Sequence, residues 1–409
     1  MSVQDALERE LGPRLGGGSV VLALSGGLDS MVLLDALVPF CRQHQVRLRA
    51  VHVHHGLSTW ADDWQQHCQQ QCQQRQVPLR VHTVSLHRQP RQSLEALARE
   101  ARYQALAHEL QTGDVLVTGH HLDDQAETFL LAARRGAGIE GLSAMPVARP
   151  FAAGQLLRPL LALSRQQLRH EAEQRQLRWV EDDSNRNTDF DRNFLRHQVL
   201  PLLEQRFAGF AKGLARSAEL LAEQLPAQQW LVAQQLSAHC HPDGSLDLQG
   251  LPPAVAALLL RQWAGPLPYR QIQEVLRQHQ ARADAEVRVG SLGRFQGRWY
   301  QLPVLPLPAV ALEWRTGPGL AGDWHLTSGV AGSTRFHPQY RHKARELKKL
   351  WQEWGIPPWL RPHWPLLINA AGELGAVLGI ALSQQHVTAQ GRVPCWQNVP
   401  AACQPFLRH

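Results

Sequence analysis

Cysteine is scarce in this sequence, and none of its six cysteines forms a Cys-x-x-Cys pair. This scarcity argues against a disulfide scaffold, a zinc ribbon and an iron–sulfur cluster ligated by cysteine. We expect the thiols to be reduced and mostly buried. The cysteines are Cys41, Cys68, Cys72, Cys240, Cys395 and Cys403.

Long apolar runs are also missing. No stretch approaches the ~20 apolar residues that a membrane-spanning helix needs. The most apolar late stretch, residues 365–382, is interrupted by Asn369 and Glu373. The N-terminal segment MSVQDALERELGPR carries charges where a secretory signal has its apolar core. We therefore expect a soluble cytoplasmic protein.

Two common nucleotide-binding motifs are absent. Lysine occurs only at Lys212, Lys343, Lys348 and Lys349, so the GxxxxGK[ST] motif of Walker-type NTPases is excluded. No GxGxxG follows the first predicted strand either. Lys and Arg together number 42 against 35 acidic residues, and the resulting charge of +7 favours an anionic partner such as nucleic acid.

The pattern of the first half predicts an α/β fold. Short apolar runs such as SVVLAL and DVLVTG alternate with helical stretches, which is typical of βαβ units and a parallel sheet covered on both faces. The 409 residues predict two or three folded units. We expect a nucleotide-binding domain over residues 1–210, a small helical domain over 211–305 and a C-terminal α+β domain over 306–409, which contains a basic helix in RHKARELKKLWQEW.

The motif SGGLDS, residues 25–30, lies between the apolar strand VVLAL and the apolar helix MVLLDAL. Paired glycines let backbone N–H groups approach a phosphate, and Ser25, Ser30 and the helix N-terminus add donors. The motif therefore predicts a pyrophosphate site. The alternative is an ordinary turn in which Ser30 caps the helix. Asp29 is an unusual residue for an anion site unless a divalent cation bridges it to the phosphates.

The motif GHHLDDQAET, residues 119–128, follows the strand DVLVT. On a helix, His120, Asp123, Asp124 and Glu127 would share an arc of roughly 100°. Like charges so close are costly unless a cation or a donor-rich ligand lies among them. Magnesium with ATP would explain the carboxylates, zinc would do so less well, and the alternative is a solvated helix face.

Together these blocks resemble the tRNA(Ile)-lysidine synthetase family of N-type (PP-loop) ATP pyrophosphatases. The resemblance rests on ordered blocks from residue 20 to 201 and on one late stretch. The blocks are SGGLDS, HVHHGL, SLEALAREARY, GHHLDDQAET, RRGAGIEGLSAM, RPLL, DDSNRNTDFDRNFLRHQVLP and the late RELKKLWQEWGIPPWLRPHWPLL. His54 and Ser58 depart from residues common in the family.

The resemblance implies a two-step reaction. ATP adenylates the C2 carbonyl oxygen of the wobble cytidine in a tRNA(Ile) with the anticodon CAU, and the ε-amine of free lysine then displaces AMP. The implied nucleotide- and magnesium-binding residues are Ser25, Gly26, Gly27, Leu28, Asp29, Ser30 and His52.

The resemblance also implies catalytic carboxylates, which support the metal and handle lysine: Asp29, Asp124, Glu127 and Glu140. For Glu140 the alternative is a helix cap. For His120 a structural role and a role near ATP are both open.

Arginines suit phosphate contacts because their forked guanidinium groups match phosphate geometry. The candidate RNA contacts are Arg99, Arg102, Arg134, Arg135, Arg158, Asn193 and Arg196, with Arg345, Lys348 and Lys349 in a C-terminal basic run. For any single arginine, a surface salt bridge is the alternative. The tryptophans that follow the run favour a domain core over base stacking.

Alternative functions stay open at this stage. A PP-loop enzyme that inserts sulfur into tRNA would need a catalytic cysteine, and a synthetase that makes GMP or NAD would lack the basic C-terminal domain. A non-catalytic tRNA-binding protein would not need the carboxylates. The oligomeric state is open, a homodimer included.

Overall fold

The computed structural model describes residues 1–56, 58–84, 94–181, 187–280, 286–303 and 308–408. Leu57, Ser93 and residues 182–186, which belong to motifs quoted above, lie outside these ranges. Contacts divide the chain into two units, Met1–Ala227 and Gln228–His409. The division falls within one long helix, Phe210–His239. The predicted boundaries at 210 and 305 remain a prediction. In the described ranges, no helix combines the length and apolarity that crossing a membrane requires.

The first unit is an α/β fold, as predicted. Its strands are β1 (Val20–Ala23), β2 (Leu48–His54), β3 (Leu79–Thr83), β4 (Val115–Val117), β5 (Ala148–Phe151) and β6 (Gly154–Leu157). Its helices are α1 (Val3–Glu10), α2 (Leu28–Gln43), α3 (Ala61–Gln74), α4 (Leu94–His108), α5 (Leu122–Arg134), α6 (Ile139–Leu142), α7 (Arg165–Gln174), α8 (Asp191–Phe194), α9 (Leu200–Arg206) and the long α10 (Phe210–His239). A π-helical turn, Leu195–Val199, joins α8 to α9.

The six strands form one sheet in the order β3-β2-β1-β4-β6-β5. All neighbours are parallel except β5 and β6, which form an antiparallel hairpin. The predicted parallel sheet therefore has an antiparallel edge strand. Only residues 152 and 153 join β5 to β6, and so short a connection cannot make the crossover that a parallel pair requires.

Apolar side chains cover both faces of this sheet. Val20 and Leu22 of β1 pack on one side with α2, whereas Val21 packs on the other side with Leu106 of α4. A strand buried on both faces has to be apolar throughout, which explains the VVLAL run. Parallel strands covered in this way bring their carboxyl ends to one edge, where ligands of open α/β sheets bind.

The second unit joins helices to several small sheets. Its helices are α11 (Pro253–Ala264), α12 (Tyr269–His279) and α13 (Leu347–Glu353). Its strands are β7 (Val287–Val289), β8 (Leu292–Phe295), β9 (Arg298–Gln301), β10 (Leu312–Leu320), β11 (His325–Thr327), β12 (Arg335–Phe336), β13 (Arg345–Glu346), β14 (Leu366–Ile368), β15 (Leu374–Val377), β16 (Ala381–Leu382) and β17 (Val387–Trp396). Strands β7 to β9 form a meander that the predicted helical domain did not include.

Only the second half of the predicted basic helix is helical. Helix α13 begins at Leu347, because Arg345 and Glu346 pair with Phe336 and Arg335 in a short antiparallel ladder. The tryptophans after it form a core, as expected. Trp351, Trp354 and Trp364 are buried together.

All six cysteines are free thiols, which agrees with the expectation from their scarcity. Four of them are buried: Cys41, Cys68, Cys72 and Cys403.

Candidate active site

The phosphate loop, residues 25–30, connects the carboxyl end of β1 to α2 and depends on Gly26. Gly26 has a φ of +86°, a backbone conformation that residues other than glycine rarely adopt. A Cβ atom there would lie 3.0 Å from Cys68 Sγ and 3.1 Å from Val180 Cγ2. The backbone N–H of Val180 donates to the Gly26 carbonyl at 3.0 Å. The loop is therefore held from both sides at the position where only glycine fits.

Two serines order the phosphate loop internally. Ser30 Oγ accepts from the Gly26 N–H at 3.1 Å and donates to the Gly27 carbonyl at 2.9 Å. Ser25 Oγ accepts from the Gly27 N–H at 3.3 Å and lies 3.1 Å from Ser30 Oγ. The alternative in which Ser30 caps α2 is wrong, since Gly27 is the N-cap residue and no side chain caps the helix. The positive end of α2 is thus not capped by a side chain and can face an anion.

His52 lies behind the phosphate loop. Its Nδ1 is 2.9 Å from the Leu24 carbonyl, and burial lowers the pKa of His52. Cys68 Sγ is 3.6 Å from the same nitrogen. Burial raises the pKa of Cys68 to about 12, so this thiol stays protonated at neutral pH.

The second motif is only partly helical. Helix α5 begins at Leu122, so the prediction that His120 shares a helix face with the carboxylates is wrong. The reason is local, because Asp124 Oδ2 accepts from the His121 N–H at 3.0 Å and fixes His121 as the N-cap. His120 instead lies 2.9 Å from Thr118 Oγ1 through its Nδ1. Burial lowers the pKa of His120 to about 3.

His121 occupies the centre of the carboxylates. Its Nε2 is 3.7 Å from Asp29 Oδ2 and 3.5 Å from Asp124 Oδ2, and its Nδ1 is 3.4 Å from Asp123 Oδ2. Only 1% of His121 is exposed. Burial alone would lower the pKa of His121, but the three carboxylates more than offset this effect and raise it above its usual value. The surrounding carboxylates therefore favour the protonated form of this ring.

Two arginines neutralise the remaining acids. Glu127, which is 0% exposed, accepts from Arg192 Nε at 2.8 Å and from Arg196 Nε at 2.6 Å, one on each carboxylate oxygen. Arg196 Nη2 also donates to Asp124 Oδ1 at 2.9 Å. Burial opposes the ionisation of Asp124, but His121, His120 and the arginines lower its pKa to about 2. The protein itself thus supplies the cations that the acidic motif requires.

Asp29 has a buried carboxylate oxygen, Oδ1, without a hydrogen-bond partner. Burial is the main cause of the raised pKa of Asp29. Within the described ranges, no three His, Cys, Asp or Glu side chains form a metal-ligand cluster. A single protein carboxylate fits Mg²⁺, which proteins often bind through one or two carboxylates, with water and substrate phosphates completing the shell. The residues present therefore fit the predicted magnesium.

The RRGAGIEG segment forms the connection from α5 to α6. Arg134 makes an exposed ion pair with Asp191 at 2.8 Å, and Arg135 is the exposed C-cap of α5. Gly136 has a φ of +66°. Glu140 lies exposed in the first turn of α6.

Three further arginine candidates, Arg99, Arg102 and Arg158, lie around Tyr103 of α4. Arg158 is buried and donates to the Pro146 carbonyl at 2.8 Å. The guanidinium carbons of Arg99 and Arg102 lie 5.2 and 5.8 Å from the ring centre of Tyr103. These residues make a basic, aromatic region along α4.

Asn193 donates to the Asn187 carbonyl at 2.8 Å, next to Arg192 of α8. The basic run belongs to the second unit, where Arg345, Lys348 and Lys349 are exposed. Arg345 pairs with Glu353, and Lys349 lies 3.8 Å from Glu346.

Sequence reasoning missed His121 and Arg192. His121 is adjacent to the His120 that we singled out, and only the helix start decides which of the two faces the acids. Arg192 precedes Arg196 by four residues, a spacing that places two side chains on the same face of a helix. This spacing could have identified Arg192 as a second partner of the acids.

Two family models match the chain. Residues 2–203 match the PP-loop domain and residues 326–397 match the TilS substrate C-terminal domain. The tRNA(Ile)-lysidine synthase of Serratia proteamaculans is 44% identical, over 95% of this chain and 97% of the relative. That of Edwardsiella ictaluri is 42% identical, over 94% and 96%. Among solved structures, the U34-tRNA thiolase NcsA from Methanococcus maripaludis has a TM-score of 0.46 and 18% identity, over 54% of this chain and 78% of that one.

Replacing Gly26 by alanine should weaken ATP binding by about 10-fold or more. The new Cβ would meet Cys68 and Val180, and the positive φ adds strain of ~1–2 kcal/mol. Gly17→Ala is the matched control, since Gly17 has a φ of +89° but a Cβ atom there would have no neighbour within 4 Å. Titration calorimetry with ATP should separate the two variants. Equal affinities would show that the phosphate loop does not hold the nucleotide.

Proposed function

The chain belongs to the tRNA(Ile)-lysidine synthase family, and we propose that the phosphate loop and the acids around His121 are its active site. The protein is an ATP-dependent ligase that makes lysidine on tRNA(Ile). The observation that carries the site assignment is the phosphate loop itself. Gly26 sits where no side chain fits, directly before the uncapped N-terminus of α2.

The chemistry has two steps. The C2 carbonyl oxygen of the wobble cytidine attacks the α-phosphorus of ATP, the bond from that phosphorus to its bridging oxygen breaks, and pyrophosphate leaves. The ε-amine of lysine then attacks C2, and AMP departs with the former carbonyl oxygen. Activation is needed because a carbonyl oxygen is a poor leaving group, whereas AMP is a good one.

The phosphate loop binds the outer phosphates in this proposal. Ser25 and Ser30 keep Gly26 and Gly27 in the required conformation, and the N-terminus of α2 attracts the negative charge. His52 supports the loop from behind through the Leu24 carbonyl. Leu28 begins α2 and is itself buried.

Asp29 would hold Mg²⁺ through its unpartnered Oδ1. Magnesium, when bound, neutralises the phosphates and favours departure of pyrophosphate. Asp29 is well placed for this task because it lies in the phosphate loop and in the first turn of α2.

Glu127 and Asp124 act in the proposal through arginine. Both oxygens of Glu127 already accept from guanidinium groups, so this carboxylate positions Arg192 and Arg196. A carboxyl with a pKa of about 2, as in Asp124, is a weak base for an amine with an unperturbed pKa near 10.4. The exposed Glu140 is the acid left to attract the lysine ammonium, and we assign it that role.

The tRNA is the anionic partner that the charge of +7 favours. We assign the CAU anticodon region to the arginines of the first unit and a helical stem to Arg345, Lys348 and Lys349. Each of these side chains can neutralise a phosphate, and the binding should weaken with salt. Cytoplasmic location, where ATP, lysine and tRNA meet, and a homodimer remain part of the proposal.

The burial and the raised pKa of Cys68 argue against the alternative function of sulfur transfer. Cys68 is the cysteine packed against the phosphate loop, but its thiol is fully buried and its pKa is about 12. A sulfur carrier needs an accessible thiolate.

Labelled lysine should enter tRNA(Ile) when the protein, ATP and tRNA are mixed. Cys68→Ser should retain at least about half of this activity, because the thiol only fills space. The measurement is acid-precipitable label, with a sulfur donor tested in parallel. Sulfur incorporation, or loss of activity in a folded Cys68→Ser variant, would contradict the assignment.

Asp29→Asn should reduce AMP formation by about 100-fold, which is ~2.7 kcal/mol of transition-state stabilisation. The amide keeps the shape of Asp29 but lacks the charge that attracts Mg²⁺. Binding of tRNA should stay within about twofold of the parent. Asp35→Asn is a control on the same helix, because Asp35 pairs with Arg75 and Arg175 instead. Unchanged turnover in Asp29→Asn would remove Asp29 from the reaction.

A further inference from the structure

His121 is a buried histidine whose role neither sequence motif reveals. It caps α5, and its ring reaches across to α2, where Asp29 lies. Gly119 makes this approach feasible, since a Cβ atom there would lie 3.2 Å from Asp29 Cβ and 3.3 Å from the Ser30 nitrogen. The segment that follows β4 therefore lies close to the first turn of α2 at this point.

The ring contacts both carboxylate-bearing helices with one nitrogen. Nε2 lies 3.7 Å from Asp29 Oδ2 and 3.5 Å from Asp124 Oδ2. Asp29 Oδ1 is buried without a partner. The imidazole therefore faces one oxygen of Asp29, whereas the other oxygen has no hydrogen-bond partner.

A second carboxylate faces the other side of the ring at ion-pair distance. Nδ1 lies 3.4 Å from Asp123 Oδ2, and that same oxygen accepts from the Arg165 N–H at 2.9 Å. Arg165 is the first residue of α7. The ring therefore lies between the N-termini of α2, α5 and α7.

We infer that His121 is a positioning residue, which holds Asp29 Oδ2 so that Oδ1 is presented to the magnesium of the bound ATP. The inference rests on the proposed metal role of Asp29. Residues that orient a ligating carboxylate typically contribute 10- to 100-fold to metal affinity. A purely structural histidine would instead affect stability and every kind of nucleotide binding alike.

His121→Gln tests this inference, since its amide can replace one nitrogen but not the rigid two-sided contact. We expect the Mg²⁺ concentration for half-maximal ATP binding to rise about 10-fold, measured by calorimetry at fixed ATP. The affinity for AMP in EDTA should stay within about twofold. His82→Gln is the matched control, because His82 forms a histidine–carboxylate pair with Glu109 at 2.8 Å outside the site. It should leave both quantities unchanged.

Asp29→Asn in the same titration separates the metal role from the positioning role. If Asp29→Asn changes the Mg²⁺ dependence and His121→Gln does not, the positioning role is wrong and the metal role stands. If Asp29→Asn changes nothing, the metal role of Asp29 is wrong and the inference falls with it. Equal losses of AMP and Mg²⁺–ATP binding in His121→Gln would also overturn the inference.

Asp123→Asn provides a second variant should His121→Gln fail to fold. It keeps the imidazole but removes the charge that faces Nδ1. We expect the Mg²⁺ half-saturation to rise about threefold with AMP binding unchanged. An unchanged Mg²⁺ dependence in this variant would contradict the inference.

Discussion

The balance between four clustered carboxylates and three cations is the constraint on which the site depends. Asp29, Asp123, Asp124 and Glu127 lie at the carboxyl edge of the sheet, and ionised acids so close together are costly to bury without partners. His121, Arg192 and Arg196 supply these partners from other segments of the chain. The same ion pairs fix α2, α5 and α8 relative to one another. The ion pairs that neutralise the acids therefore also set the geometry of the site.

The four acids have different partners, and each can therefore have a different role. Glu127 accepts from arginine on both oxygens, and Asp124 accepts from Arg196 and from the His121 N–H, so we propose that these two acids orient cations and do not act as bases or metal ligands. Asp29, within the phosphate loop, has one buried oxygen without a hydrogen-bond partner. Glu140 lies on a separate short helix. Acids that look equivalent in the sequence thus have different environments, and environment determines their chemistry.

Local patterns predicted much of the fold and the phosphate loop. Strand and helix periodicity predicted the α/β unit, and the glycine pair predicted the turn at Gly26. Long-range partners were not predictable, because spacing on one helix cannot show that Arg196 reaches Glu127 across 69 residues of sequence. The sequence pattern also did not predict two helix boundaries that depend on local hydrogen bonds. Asp124 shifts the helix start past His120, and strand pairing at Arg345 shortens the basic helix.

The most direct test is a crystal structure with ATP and Mn²⁺, in which anomalous scattering locates the metal. We expect a manganese ion bound by the Asp29 carboxylate and by phosphate oxygens. Glu127 should keep both of its arginine contacts. Manganese on Glu127 or Asp124, with Arg192 and Arg196 displaced, would contradict the central claim that the protein's own cations neutralise these two acids.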